Sequence, residues 1–209
     1  MVQQEIESLF TQKAEAVSAV VKKVKSMKEA YAYAVDICLK KEACQLLMSG
    51  CGEPVSDAAG ELCGQKTAER VIAAPQLSGK ALKELKTLAD KAGIKLLTKD
   101  MRDHLAGIDI GFTLADYGLA ETGTVVVDSS AEEVRLSTMV SEINVVVLPE
   151  SKLRAGTYEC EEELLDIVNK TPSYMAFITG PSRTADIERV LAIGVHGPLE
   201  LHVLLLEAA

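Results

Sequence analysis

VIAAPQLSGKALKELKTLADKAGIKLL, running from Val71 to Leu97, decides the fold class. Val71 to Ala74 is a short aliphatic run of strand character. Lys80 to Ala92 then carries Leu82, Leu85, Leu88 and Ala92 on one helical stripe and stops at Gly93, after which Ile94 to Leu97 resumes as a strand. Strand, helix, strand with continuous aliphatic runs is what a parallel sheet covered on both faces requires. The rhythm recurs downstream: strands are predicted at Val125 to Val127, Val145 to Leu148, Met175 to Ile178 and Leu201 to Leu206, and helices at about Glu161 to Asn169 and Ala185 to Ala192. Upstream, Ile6, Leu9, Phe10, Val17, Val20, Val21 and Val24 recur at helical spacing and predict one amphipathic N-terminal helix. Ser26 with Glu29 predicts a capping box that opens a second helix to about Leu39. Ala43 to Met48 reads as a buried strand closed by Ser49-Gly50-Cys51-Gly52-Glu53-Pro54. The expected class is therefore α/β with a mostly parallel sheet.

A chain of 209 residues suits one core, here a main domain over 26–209 preceded by a helical extension over 1–25. Hydrophobic residues make up 48% of it but aromatics only 4%, so the core must be mainly aliphatic. The formal charge of −9 disfavours a nucleic-acid backbone or an anionic membrane as partner, and any anionic ligand must be held locally. No apolar run reaches the ~20 residues that span a bilayer. Met1-Val2-Gln3-Gln4-Glu5 lacks the basic-then-apolar pattern of a signal peptide, so a cytoplasmic address is expected. Five cysteines without a C-x-x-C pair argue against a disulfide framework and against a ferredoxin-type cluster, and fit reduced packing thiols. The competing reading is a metal or redox centre from Cys44, Cys51 and Cys63. The acidic run Glu159, Glu161, Glu162 and Glu163 opens a predicted helix, whose positive dipole end accounts for it without a metal.

Two loops carry chemistry. Gly180-Pro181-Ser182-Arg183-Thr184-Ala185-Asp186 lies between an apolar strand and a predicted helix, a junction that points free backbone N–H groups at a carboxylate or phosphate. Ser182 and Thr184 add hydroxyls and Arg183 a forked positive charge; the plain alternative is a capped helix with Asp186 on the dipole and Arg183 in a structural ion pair. The loop is neither a Walker A sequence nor a dinucleotide fingerprint. Gly194-Val195-His196-Gly197-Pro198 then sets His196 between glycines, the best acid/base candidate of the three histidines, unless it only bridges a tight turn. His104 and His202 read as structural or solvent-facing. The other loop is Ala120-Glu121-Thr122-Gly123-Thr124, ahead of Val125. There Glu121 is the leading carboxylate, as a base or nucleophile whose pKa partial burial would raise, against the plainer reading of a turn glutamate satisfied by Thr122 and Thr124.

Taken together, Ala120 to Thr124, Gly180 to Glu188 and Gly194 to Pro198 closely resemble the lactate-utilisation C-type family, also called the LUD domain. The likeness is clearest from about Ile108 to Leu206 and fainter from about Val24 to Leu97. It implies a Rossmann-like three-layer sandwich similar to the NagB/RpiA/CoA-transferase superfamily, and a role in bacterial lactate oxidation to pyruvate beside iron-sulfur partner proteins. It names no cofactor for this chain. Family members usually carry a proline and a histidine after the E-T-G-T strand; Leu136 to Val147 here reads LSTMVSEINVVV, and the histidine position falls near Ile143.

Three functions are compatible with these residues. The first is an accessory subunit of a lactate-oxidising complex in which Glu121, Thr122, Gly123, Thr124, Gly180, Pro181, Ser182, Arg183, Thr184, Asp186, His196 and Gly197 surround a small carboxylate or phosphate-bearing ligand. The second is a stand-alone acyl-transfer or sugar-phosphate-isomerase-like enzyme using Glu121. The third is a scaffold whose loops are only caps and turns.

Overall fold

In the computed structural model, which describes residues 2–41, 56–104, 107–183 and 197–207, the aliphatic runs become a six-stranded parallel sheet. Its strands are β1 (Val20–Val24), β2 (Arg70–Ala73), β3 (Ile94–Leu97), β4 (Ile108–Leu114), β7 (Ser141–Pro149) and β10 (Glu200–Leu206), in the order β1-β10-β7-β4-β2-β3. Along β7, Ile143, Val145 and Val147 face one layer while Val146 and Leu148 face the other, which is why this strand reads as an unbroken apolar run. The first layer is α2 (Met27–Lys40) and α4 (Gly79–Lys91), which press Tyr31, Ala34, Cys38, Leu85 and Ala89 onto Ile110, Phe112 and Leu204. The second is α1 (Gln3–Ala16) together with a smaller sheet of β5 (Tyr117–Leu119), β6 (Thr124–Asp128), β8 (Leu153–Arg154) and β9 (Met175–Ile178), in the order β8-β5-β6-β9. Ile6, Phe10, Ala14, Val125 and Leu153 pack there against Val203 and Leu205. The expected α/β sandwich around a parallel sheet is thus the observed fold.

Two expectations change. The N-terminal helix does not continue to Val24. It stops at Ala16, Ser18 turns the chain in the left-handed region at φ 71°, and Val20–Val24 pairs in parallel with β10 as an edge strand. β-branched valines suit a pleated edge better than a helix, and the pairing with β10 overrides the helical spacing. Ile6, Phe10, Ala14, Ala19 and Val24 are buried in the two main core clusters. The second change concerns Val125 to Val127 and Met175 to Ile178, which are strands of the smaller sheet, where β6 runs antiparallel to both β5 and β9. A loop as short as Ala120 to Gly123 can only return the chain antiparallel.

The structure adds α3 (Asp57–Ala68), α5 (Glu132–Val140), β4, β5 and β8 to the expected elements and bounds the acidic helix as α6 (Glu161–Val168). The helix predicted at Ala185 to Ala192, the strand at Ala43 to Met48, and Cys44 and Cys51 lie outside the described residues. Among the described residues no helix is long and apolar enough to cross a membrane, and no group of His, Cys, Asp and Glu is placed to hold a metal. His202 is buried on β10, with Nδ1 2.8 Å from the Tyr33 hydroxyl and Nε2 2.6 Å from Glu200, which accords with a structural role.

The smaller sheet is held to α1 by backbone contact. Gly123, at φ 67°, lies so close that an ideal Cβ would sit 2.2 Å from Ala14 N and 2.6 Å from Ala14 Cα. Gly180, at φ 74°, approaches Val17 O in the same way, at 2.4 Å. Gly123→Ala is expected to lower the unfolding free energy in urea by about 3 kcal/mol, as a clash added to backbone strain. Gly93→Ala, at φ 68° with no heavy atom within 4 Å, should cost only the left-handed backbone penalty of about 1–2 kcal/mol. Equal losses at the two positions would show that the close approach to α1 is absent.

Candidate functional site

The Glu121 to Thr124 and Gly180 to Arg183 loops, remote in sequence, meet at the C-terminal turn of α1. Gly123 and Gly180 touch that turn from two sides. Between them runs a chain of hydroxyls: Thr122 Oγ1 lies 2.7 Å from Thr124 Oγ1, which lies 2.8 Å from Thr179 Oγ1. Arg183 closes the junction. Its Nη2 donates to Val17 O at 2.7 Å and to Ser18 Oγ at 3.0 Å, so it secures the one residue of the turn that bears a side chain at positive φ. Among the described residues the guanidinium is therefore neither in the ion pair considered from the sequence nor in contact with Glu121.

Glu121 turns the other way. Its Oε1 accepts from Thr157 N at 2.9 Å and Thr157 Oγ1 at 3.0 Å. The Thr157 backbone bond first, and its hydroxyl bond second, hold the Glu121 carboxyl below the ordinary glutamate value. This reverses the expected shift, for the reason that the side chain is exposed at the surface and bonded as a carboxylate.

Beyond the hydroxyl chain the loops open into a cleft of about 260 Å³ between the end of α5 and the end of β9. It is lined by Thr138 and Met139 of α5, by Phe177, Ile178, Thr179 and Gly180 at the end of β9, by Ser182, Gly197 and Pro198, and by Asn144 and Leu201 of the parallel sheet. Ser182 is fixed there because its N–H donates to Pro198 O at 3.0 Å and Gly197 packs closely against its side chain. Pro181 is buried beside it. Of the residues singled out by sequence, the structure thus brings Gly180, Ser182 and Gly197 to the cleft. Gly123 packs on α1, Arg183 bonds to the turn that follows it, Thr122 and Thr124 continue the hydroxyl chain to Thr179, and Glu121 is set apart on Thr157. Thr184, Asp186 and His196 lie outside the described residues.

Sequence reasoning missed Asn144. It is 1% exposed in the middle of β7, its Nδ2 has no hydrogen-bond partner among the described residues, and its Oδ1 is 3.5 Å from Thr113 Oγ1. An unmet buried donor costs about 1–3 kcal/mol, and such a group calls for an explanation. The signal was a lone amide inside Ile143-Asn144-Val145-Val146-Val147, next to the position at which the family histidine was sought.

The model of the LUD domain matches residues 7–206 of this chain. An uncharacterized protein of Neisseria meningitidis serogroup B is 36% identical over 102 residues, 49% of this chain and 44% of that protein. Two proteins named lactate utilization protein C are similar: that of Shouchella clausii is 37% identical over 94 residues, 44% of this chain and 41% of its own length. That of Halalkalibacterium halodurans is 39% identical over 102 residues, 47% of this chain and 44% of its own. The matches therefore span less than half the length of these relatives. The crystal structure of a DUF162 family protein from Deinococcus radiodurans shares the fold, with a TM-score of 0.62 at 17% identity over 99% of both chains. With a family match that runs nearly end to end and the same fold in a solved structure, this chain belongs to the LUD domain family.

Proposed function

We propose that this chain is the cluster-free, ligand-binding subunit of a bacterial lactate-utilisation system, which oxidises lactate to pyruvate and passes the electrons to iron-sulfur partner proteins. The observation that carries this reading is the cleft at Gly180, Ser182 and Gly197, built from the loops by which the chain resembles its family. The names of the relatives support the pathway. The cysteine pattern supports the division of labour, because a chain without C-x-x-C has no ready ligand set for an electron-carrying cluster. In this reading Ser182 contacts a small anionic ligand, and Gly123, Gly180 and Arg183 hold the cleft in shape.

The stand-alone acyl-transfer alternative needs a substrate beside Glu121, whose carboxylate faces Thr157 and not the cleft. For that geometric reason the subunit reading ranks first.

Purified alone, the chain is expected not to turn lactate into pyruvate. Added to its iron-sulfur partners it should restore oxidation, followed by pyruvate formation with an artificial electron acceptor; turnover by the partners without it would refute the subunit role. Glu121 offers a separate check of the site geometry. Its lowered pKa means that the Thr157 bonds stabilise the fold above the ordinary glutamate pKa, and that this contribution is lost as pH falls through the lowered value. Thr157→Val should move the Glu121 titration, read by carbon NMR, upward toward the ordinary value. The backbone N–H bond survives this substitution, so the shift is partial, and an unmoved titration would mean that the Thr157 hydroxyl does not bond the carboxylate.

A further inference from the structure

We infer that Asn144 makes the cleft a binding site for a compact molecule that presents a carbonyl or carboxylate oxygen on a short apolar body, and not for phosphate. This deepens the ligand-binding part of the function proposed above and rests on it. Asn144 Nδ2 is a buried donor with no partner among the described residues, in a residue that lines the cleft. Such a donor is matched by an acceptor oxygen brought in by a ligand.

The surroundings narrow the class. Met139, Phe177, Pro198 and Leu201 line the cleft with apolar surface, so the remainder of the ligand is apolar and small enough for about 260 Å³. No cation lines the cleft among the described residues. Arg183 is committed to Val17 and Ser18, and Arg135 to the carbonyls of Ser129 and Ser130. Against the described lining a doubly charged phosphate would lose more hydration without a counter-charge than a carbonyl or a singly charged carboxylate, which neutral donors can meet. Thr138 Oγ1 donates to Arg135 O, which leaves its oxygen to accept from a ligand hydroxyl. The arrangement is built into the sheet. Gly111 pairs with Asn144 across β4 and β7, and an ideal Cβ on it would sit 2.1 Å from Ser137 O. Only glycine there lets the end of α5 press on the sheet, and this is what carries Thr138 and Met139 to the cleft wall.

The test is calorimetric titration of the full chain with sodium pyruvate, sodium L-lactate and inorganic phosphate at matched ionic strength, on the wild type, Asn144→Asp and Asn144→Leu. Asn144→Asp exchanges the donor for an acceptor, and Asn144→Leu removes the unmet donor without burying a charge, so it remains usable should the aspartate fail to fold. The expected result is binding of a carboxylate and not of phosphate, an affinity at least tenfold weaker in each folded variant, and an unfolding temperature for ligand-free Asn144→Leu no lower than that of the wild type. Carboxylate affinity within twofold of wild type in either folded variant, preference for phosphate, or binding of none of the three probes would overturn the inference. The subunit role fails separately, by lactate turnover in the partners alone.

Discussion

The close backbone approach of Gly123 and Gly180 to the last turn of α1 is the contact on which the rest of the structure depends. It fastens the smaller sheet to the helix that already covers the parallel sheet, so three elements distant in sequence share one anchor. Side chains at either glycine would force these layers apart, because the obstructing atoms are main chain and cannot rotate away. Ser18 completes the turn at positive φ, a conformation of some cost for a residue with a Cβ, and Arg183 bonds to it and to the carbonyl before it.

This anchor explains the division of roles among the loop residues. Those that look most chemical in sequence, Glu121 and Arg183, have partners of their own in Thr157 and in the α1 turn. The cleft beside them is lined instead by neutral groups, the Asn144 amide, the hydroxyls of Thr138, Thr179 and Ser182, and a set of apolar side chains. Charge is used to hold the loops, and the described lining of the cleft is neutral. The cleft lies nearer the amino ends of β7 and β10, since Asn144 pairs with Leu201, the second residue of β10. Open α/β sheets more often place their ligands beyond the carboxyl ends, and here the second sheet provides the wall that an extra loop would otherwise supply.

Much of this was legible in the residues themselves. The amphipathic stripe of Leu82, Leu85 and Leu88 and the buried runs of β7 and β10 identified a covered parallel sheet, because burial on both faces leaves a plain compositional mark. The end of α1 was not legible, since the residue that breaks the helix is Ser18 where a glycine would have announced the stop, and Val20, Val21 and Val24 continue the helical spacing by coincidence. β6 was recognisable as a strand but not as a member of a second sheet, for an apolar run looks the same in either pairing. Gly180, Ser182 and Gly197 were found through their loop chemistry. Asn144 was not, because a single amide in an apolar strand acquires meaning only when its neighbours across β4 and β10 show that it is buried and facing a cleft.

The contact between the glycines and α1 can be measured directly by nuclear Overhauser spectroscopy on labelled protein. Strong cross-peaks are expected between the Gly123 α-protons and the Ala14 amide proton, and between the Gly180 α-protons and Val17. Their absence in a folded, assigned sample would contradict the shared anchor and, with it, the shape of the cleft that the anchor maintains.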